Sequence, residues 1–231
     1  MFSSAANTIS KSIYGVLCNS SVGPQQLNFS NGTAFMIAEG ICVTAAHVLH
    51  ADNDWSKPVH SKIEVIRSPE IGSPMNESRL IAEDAGRDIA LIEILKPRHH
   101  EVVTFHKTIL ARGTSCGSLG FPLANIATLN NRPAFNLVER FQGAYLSAYK
   151  TMPHPNGNDY VFYETDSLMY GGSSGCPGFT LEANVFGMHV ATVSEGKSNS
   201  NTSRLAISLW VPSSEIIQFA TKHGISKLRI T

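Results

Sequence analysis

Three short segments of the sequence carry side chains that together could attack an acyl group. They are VTAAH, which ends at His47, GRDIALI, in which Asp88 opens an apolar run, and GGSSG, which contains Ser174. A serine hydroxyl is a weak nucleophile and needs a base within hydrogen-bond reach. An imidazole titrates near neutral pH and can take the proton, and a carboxylate on its other ring nitrogen fixes the tautomer. The residue types therefore predict Ser174 as nucleophile, His47 as general base and Asp88 as orienting acid.

Two of these residues have neighbours that could take the same role. Ser174 is preferred over Ser173 because only Ser174 has both a glycine two positions before it and a glycine directly after it. Asp88 is preferred over Asp84 because Asp88 opens the apolar strand. Glycines allow a tight bend whose backbone N–H groups converge on one point. The N–H groups of Gly172 and Ser174 are therefore predicted to form an oxyanion hole, which stabilises negative charge in a transition state.

The motifs TAAH, RDIAL and GxSGxP, in this order along the chain, resemble those of the chymotrypsin-like (trypsin-fold) serine proteases. The order His, Asp, Ser separates this family from the subtilisins and the α/β-hydrolases. The resemblance covers about residues 30–215 and implies an all-β fold of two six-stranded antiparallel Greek-key barrels with a C-terminal helix. It also implies a serine endopeptidase that forms an acyl-enzyme and needs no metal or cofactor.

Other segments resemble particular branches of that family. TDSLMYGGSSG, at residues 165–175, resembles the segment before the nucleophile in the Deg/HtrA proteases. VFGMHV, at residues 185–190, resembles a strand of the bacterial glutamyl endopeptidases and of picornaviral-type proteases. In both of the latter groups a histidine on this strand binds the acidic or amide side chain of the P1 residue, which is the substrate residue before the cleaved bond. The resemblance implies this role for His189. Met169 stands where the glutamyl enzymes have an assisting threonine.

The neighbours of His189 are predicted to contact the substrate. Val190, Ala191 and Thr192 follow on the same strand and are expected to pair with the substrate backbone as an added strand. Met169 is predicted either to line the pocket or to belong to the core. The resemblance also bears on activation, because Ser173 replaces the aspartate with which trypsins form an internal ion pair. The loop around Ser174 must therefore be held in another way.

Most of the chain is predicted to form short strands, because its apolar runs are β-branched or aromatic and end at turn residues. Regularly spaced strands favour a barrel or a sandwich. A connection near residues 96–112 divides the chain into halves of similar size. We expect an N-terminal barrel that carries His and Asp over residues 1–105, and a C-terminal barrel that carries Ser over residues 106–231. A capping serine, late basic residues and a stop glycine predict a helix from Ser213 to His223.

The bulk composition limits the classes of partner that the protein is expected to bind. Lys and Arg together number 18, as do Asp and Glu, so the formal net charge of zero favours neither nucleic acid nor an acidic membrane as a partner. No window reaches the roughly 18 apolar residues of a spanning helix, and the first residues do not resemble a signal peptide. We expect a peptide or protein substrate as the partner, and the sequence leaves the oligomeric state open.

The four cysteines bear on the compartment. Cys18, Cys42, Cys116 and Cys176 form no CxxC pair and have no zinc-like spacing, so no metal site is expected. Two of them lie in predicted core strands, which favours buried free thiols over disulfides. Free thiols are typical of a reducing compartment, so we expect a soluble chain that is cytoplasmic in preference to secreted.

Two alternatives to a general endopeptidase stay open on the sequence. One is a catalytically idle relative that keeps the fold as a binding module. A complete set of the three residues does not catalyse the reaction if the loop that carries the oxyanion-hole N–H groups is collapsed. The other is a viral-type protease that processes a polyprotein with Glu or Gln at P1, which the GMHV segment favours.

Overall fold

Six antiparallel strands between residues 13 and 94 close into a barrel in the order β1-β2-β3-β6-β5-β4. The computed structural model describes residues 1–23, 26–67, 75–123, 125–129, 132–153, 159–195 and 203–231. The strands of this first barrel are β1 (Ile13–Gly23), β2 (Gln26–Ala38), β3 (Ile41–Thr44), β4 (Lys62–Ile66), β5 (Asn76–Asp84) and β6 (Ile89–Ile94).

The second half of the chain repeats this arrangement. Its strands are β7 (Thr104–Phe105), β8 (Ser115–Gly120), β9 (Asn125–Leu129), β10 (Arg132–Asn136), β11 (Arg140–Pro153), β12 (Asp159–Thr165), β13 (Pro177–Phe179), β14 (Asn184–Glu195), β15 (Ser203–Pro212) and β16 (Arg229–Ile230). Six of them form the series β13-β8-β11-β12-β15-β14, and a β13–β14 pairing closes it into a second barrel. Counted from its own first strand, this barrel has the same strand order as the first. The predicted pair of six-stranded barrels is confirmed.

The remaining strands lie outside the two rings. β9 and β10 form a separate hairpin, and β7 and β16 extend the second barrel by parallel pairing beyond β14. Strands β1 to β6 lie within the predicted N-terminal unit, and strands β8 to β15 lie within the predicted C-terminal unit. The division at residues 105 and 106 stays a prediction.

Two helices pack on the barrels. The C-terminal helix α2 spans Ser213–Lys222 and buries Ile216, Phe219 and Ala220, in agreement with the sequence prediction to within one residue. The N-terminal helix α1, Ser3–Ile9, was not predicted, because its sequence carries no capping side chain and no charged residue in either terminal turn. Packing against the protein stabilises α1, since Ala5 and Ile9 are buried.

An apolar core fills each barrel. The larger cluster runs through both barrels and includes, for example, Phe35 of β2, Met188 of β14 and Phe219 of α2. A smaller cluster lies within the second barrel. The smaller cluster consists of Leu110, Cys116, Leu146, Tyr163, Met169, Cys176, Phe186 and Trp210. All four cysteines of the chain are free and buried, as the sequence predicted. Among the described residues, no helix combines the length and apolar character needed to cross a bilayer.

Candidate active site

His47 and Asp88 lie side by side at one end of the first barrel. β3 and β6 are antiparallel neighbours with Thr44 opposite Ala90, so the end of β3 meets the start of β6. The 3-10 turn Ala46–Leu49 follows β3 and carries His47. His47 Nδ1 lies 2.6 Å from Asp88 Oδ2, and the His47 backbone N–H donates to Asp88 Oδ1 at 2.9 Å. With Nδ1 engaged by the carboxylate, Nε2 is the ring nitrogen that can accept a proton.

The turn that presents Asp88 is held by a buried arginine. Asp88 has a left-handed backbone conformation with φ of 58°, which aspartate tolerates better than most residues. The preceding residue, Arg87, is 8% exposed. Its guanidinium donates to Asp84 Oδ2 at 2.7 Å and to Glu215 Oε2 at 2.8 Å. Because Glu215 belongs to α2, Arg87 ties this turn to the C-terminal helix. Asp84, the rejected alternative to Asp88, is thus an ion-pair partner of Arg87.

We expect the Arg87→Met variant to lose about 3 kcal/mol of unfolding free energy, because it leaves the carboxylates of Asp84 and Glu215 unpaired in a partly buried place. The control is Arg79→Met, which removes an arginine whose side chain is 69% exposed in its ion pair with Glu93. Such an exposed pair contributes at most about 1 kcal/mol. Urea unfolding at pH 7 measures both, and equal losses in the two variants would contradict the network.

The same network predicts a pH dependence of stability. Burial acts to raise the pKa of Asp84, but hydrogen bonds from the Arg87 side chain and backbone outweigh it and hold this pKa below its ordinary value. A carboxyl with a lowered pKa in the folded state stabilises the fold above its unfolded pKa, and this contribution is lost as the pH falls. The difference in stability between wild type and Arg87→Met should therefore shrink below about pH 4.

Ser174 lies in a tight loop between β12 and β13 that packs against the first barrel. Gly175 directly follows it with φ of 86°, and a Cβ atom there would lie 2.0 Å from the Thr33 carbonyl oxygen and 2.5 Å from Thr44 Oγ1. Only glycine fits this approach. The Thr33 N–H donates to the Ser174 carbonyl at 2.8 Å. Because Thr44 ends β3, shortly before His47, these contacts bring Ser174 to the end of the barrel where His47 lies.

The hydrogen bonds of this loop show which groups are available to a ligand. All five carbonyl groups of residues 170–174 accept a hydrogen bond, from Ser173 N, Leu123 N, Thr33 Oγ1, Cys176 N and Thr33 N in turn. In the described parts of the chain, the N–H groups of Gly172 and Ser174 donate to no protein group. Backbone donors away from water are rarely left without a partner. These two N–H groups are therefore free to bind a negatively charged oxygen.

The surroundings of His47 include an aromatic residue that the sequence did not single out. The Trp55 ring lies edge-on to the His47 ring, with centroids 6.3 Å apart. The available signal was a lone tryptophan in the polar segment ADNDWS that follows the histidine turn. Within the described ranges, no hydrogen bond joins Ser174 Oγ to His47 Nε2. Contacts of this kind often tighten only when substrate binds.

His189 lies on β14 beside the Ser174 loop. The Gly175 N–H donates to the His189 carbonyl at 2.8 Å, and the His189 ring packs edge-on against Trp210 at 5.2 Å. Burial, together with the nearby His47, lowers the pKa of His189 to about 3. The backbone of Ser173 and Ala191 opposes this shift, yet among the described residues neither ring nitrogen has a partner in ordinary hydrogen-bond geometry. His189 is therefore neutral at neutral pH.

The strand that continues from His189 has one unpaired edge. β13 pairs with β14 only as far as Met188, whereas β15 pairs with the opposite edge beyond Ala191. Along Val190, Ala191 and Thr192, no described strand occupies the edge that β13 leaves open. An extended peptide could pair there as an added strand.

Met169 lies between this strand and the core. It is 4% exposed and belongs to the apolar cluster that contains Cys176 and Trp210. The Thr192 hydroxyl donates to its carbonyl at 3.2 Å. Met169 also lines, with Ser173, a cavity of about 240 Å³ behind the loop. The side chain thus packs in the core and borders a cavity as well.

Two six-stranded antiparallel barrels, with a histidine, an aspartate and a serine where they meet, are the architecture of the chymotrypsin-like peptidases. Residues 32–188 match the model of the trypsin-like peptidase domain. The chain belongs to this family, and the resemblance seen in its motifs is confirmed.

Solved structures agree with this assignment at the level of the fold. The Rv3671c protease of M. tuberculosis in its active form is similar with a TM-score of 0.69 and 15% identity, over 97% of this chain and 86% of that chain. A serine-to-alanine mutant of Rv3671c in an inactive form has a TM-score of 0.68 and 15% identity, over 96% of this chain and 91% of that chain. A search of curated proteins finds no significant match.

Proposed function

We propose that this trypsin-like peptidase is a serine endopeptidase in which Ser174 is the nucleophile, His47 the general base and Asp88 the orienting acid. The observation that carries the proposal is the 2.6 Å hydrogen bond between His47 Nδ1 and Asp88 Oδ2. It lies at the end of the barrel against which the loop of Ser174 packs.

The reaction proceeds in two halves. His47 Nε2 takes the proton of the Ser174 hydroxyl as Oγ attacks the scissile carbonyl, and Asp88 stabilises the imidazolium that forms. The imidazolium then gives its proton to the leaving amine, which breaks the C–N bond and leaves an acyl-enzyme. In the second half, water gives a proton to His47 as its oxygen attacks the acyl carbon. The imidazolium then returns a proton to Ser174 Oγ as the acyl C–Oγ bond breaks, which releases the product acid and the free enzyme.

The charge that develops on the carbonyl oxygen is stabilised by the N–H groups of Gly172 and Ser174. Their lack of any partner in the described protein, beside five carbonyls that all have one, supports this role. Removal of a single donor of this kind costs about 100-fold to 1,000-fold in kcat. An idle binding module with a collapsed oxyanion loop fits these hydrogen bonds less well than an active enzyme does.

The substrate is a peptide in extended conformation. Its backbone pairs with the open edge of β14 along Val190, Ala191 and Thr192, and its P1 side chain enters beside His189 and Met169. The ring nitrogens of His189 are buried and have no partner in ordinary hydrogen-bond geometry among the described residues, which supports a polar P1 side chain that reaches them on binding.

Among polar P1 residues, we expect glutamine to be preferred over glutamate at pH 7. A neutral imidazole can donate a hydrogen bond to an amide oxygen but brings no positive charge to compensate a buried carboxylate. The His189→Val variant should lower kcat/KM for a Gln peptide by about 100-fold. A matched peptide with Ala at P1 serves as control and should change little. Profiling on a peptide library measures both, and a preference for small apolar P1 residues that survives the substitution would contradict the role of His189.

The proposal is tested with a fluorophosphonate probe, which bonds covalently to an activated serine. We expect wild-type protein to be labelled at Ser174 and the Ser174→Ala variant to remain unlabelled. Wild-type protein that folds but takes no label would favour the idle binding module, and a label retained by the variant would overturn Ser174 as nucleophile.

A further inference from the structure

We propose that Thr33 is the positioning residue that holds the oxyanion loop, residues 170–175, in its active arrangement. This inference rests on the proposed function. Thr33 lies on β2 of the first barrel, is 0% exposed and makes hydrogen bonds to two different carbonyls of the loop. It touches neither the substrate nor the reacting atoms, so it acts through the loop.

The first contact is made by the Thr33 side chain. Thr33 Oγ1 donates to the Gly172 carbonyl at 2.9 Å and accepts from the Phe121 N–H at 3.1 Å. The hydroxyl proton is thus used in the hydrogen bond to the Gly172 carbonyl, and a lone pair of the hydroxyl oxygen is used in the one from the Phe121 N–H. A valine has nearly the same shape but can make neither hydrogen bond, and both backbone groups would then be buried without a partner.

The second contact is made by the Thr33 backbone, whose N–H donates to the Ser174 carbonyl at 2.8 Å. Thr33 therefore holds the peptide units on either side of the one that carries the Ser174 N–H. Because a trans peptide is planar, fixing a carbonyl also fixes the N–H on its opposite side. The unit between them is held by the Cys176 N–H, which donates to the Ser173 carbonyl at 2.9 Å.

The Thr33 hydroxyl also helps to position the other proposed oxyanion donor, the Gly172 N–H. The N–H of Gly172 shares its peptide unit with the carbonyl of Gly171, which accepts from the Leu123 N–H at 2.7 Å. Leu123 has a left-handed backbone with φ of 61°, which a leucine rarely adopts. Phe121, in the same turn, is the residue that Thr33 Oγ1 holds. Loss of the hydroxyl thus releases the Gly172 carbonyl and removes one of the contacts of the turn that fixes the Gly171 carbonyl, which Arg140 also holds through the Pro122 carbonyl.

This arrangement explains how the loop is ordered with serine at position 173 in place of aspartate. Hydrogen bonds from β2 and the 121–123 turn hold the carbonyls of Gly171, Gly172 and Ser174, and none of them requires an ion pair. Because β2 also pairs with β3, the strand that leads to His47, one residue fixes the loop and ties it to the barrel that carries the base.

The test compares Thr33→Val with Thr33→Ser, which keeps the hydroxyl. In protein shown by circular dichroism to be folded, we expect Thr33→Val to lower the rate constant of fluorophosphonate labelling and kcat for an ester substrate by about 100-fold, with KM little changed. Thr33→Ser should stay within a few-fold of wild type. Ser213→Ala is a control for stability alone, because it removes a buried hydroxyl that donates to the His106 carbonyl at 2.6 Å in the second barrel.

The readouts separate positioning from folding. A structural role alone would reduce the fraction of protein that is labelled but leave the rate constant of the folded fraction unchanged, as expected for Ser213→Ala. Wild-type rates in folded Thr33→Val would overturn the inference while labelled wild-type protein still supports the proposed function. If Thr33→Val does not fold, Thr33→Ala also removes the donor at this position, and a wild-type rate constant in that variant would equally overturn the inference.

Discussion

Replacement of Ser174 by alanine is expected to lower kcat for peptide hydrolysis by about a million-fold. The substitution removes the only atom that can form the acyl-enzyme and leaves the fold intact, because the loop is held by its backbone and not by this side chain. The remaining activity should still exceed that of water by about 1,000-fold, since the proposed oxyanion donors and the proposed substrate-binding edge of β14 persist. Progress curves at high enzyme concentration, with a burst assay on an activated ester, measure both quantities.

The neighbouring hydroxyl provides the control for this experiment. Ser173 is 1% exposed and lies on the side of the loop that faces the cavity behind it. Ser173→Ala should therefore keep the ester burst and the covalent label. A burst that disappears in Ser173→Ala and persists in Ser174→Ala would show that the glycine pattern was assigned to the wrong serine.

The second large effect is expected from Asp88→Asn, which should lower kcat by about 10,000-fold at neutral pH. Asparagine tolerates the left-handed backbone at this position, where φ is 58°, so the turn can keep its shape. The introduced amide can donate a hydrogen bond to His47 Nδ1, which then carries no proton. The proton moves to Nε2, and the ring can no longer accept one from Ser174.

Asp84→Asn is the matched substitution four residues earlier. It weakens the ion pair with Arg87, so the variant should lose stability in urea and keep kcat close to that of wild type. Proton NMR adds an independent readout, because the Nδ1 proton shared by His47 and Asp88 should give a low-field signal that Asp88→Asn removes and Asp84→Asn retains. Equal losses of kcat in the two variants would contradict the assignment of Asp88 as the orienting acid.

The main features of the fold could be predicted because they depend on short segments. Strand runs, turn residues and the glycine that stops α2 act within a few residues of one another. The predicted serine cap of α2 was wrong, because Pro212 holds the N-cap position and the Ser213 hydroxyl donates to the His106 carbonyl. The same holds for the candidate triad, since the small residues before His47, the apolar run after Asp88 and the glycines around Ser174 are all local. The missed helix α1 carries no such signal and depends on the burial of Ala5 and Ile9.

The sequence by itself determined the peptidase family and was enough to propose the type of chemistry, because each side chain of the proposed triad has its motif within a few residues. Only the tertiary structure decided how that chemistry is supported. Arg87 donates a hydrogen bond to Glu215 of α2, which lies 128 positions later in the chain. Thr33 donates one to the Gly172 carbonyl of the oxyanion loop, which lies 139 positions later. The neutrality of His189 arises from burial among elements that meet only when the second barrel closes. Such contacts follow from packing, and no local pattern of residues encodes them.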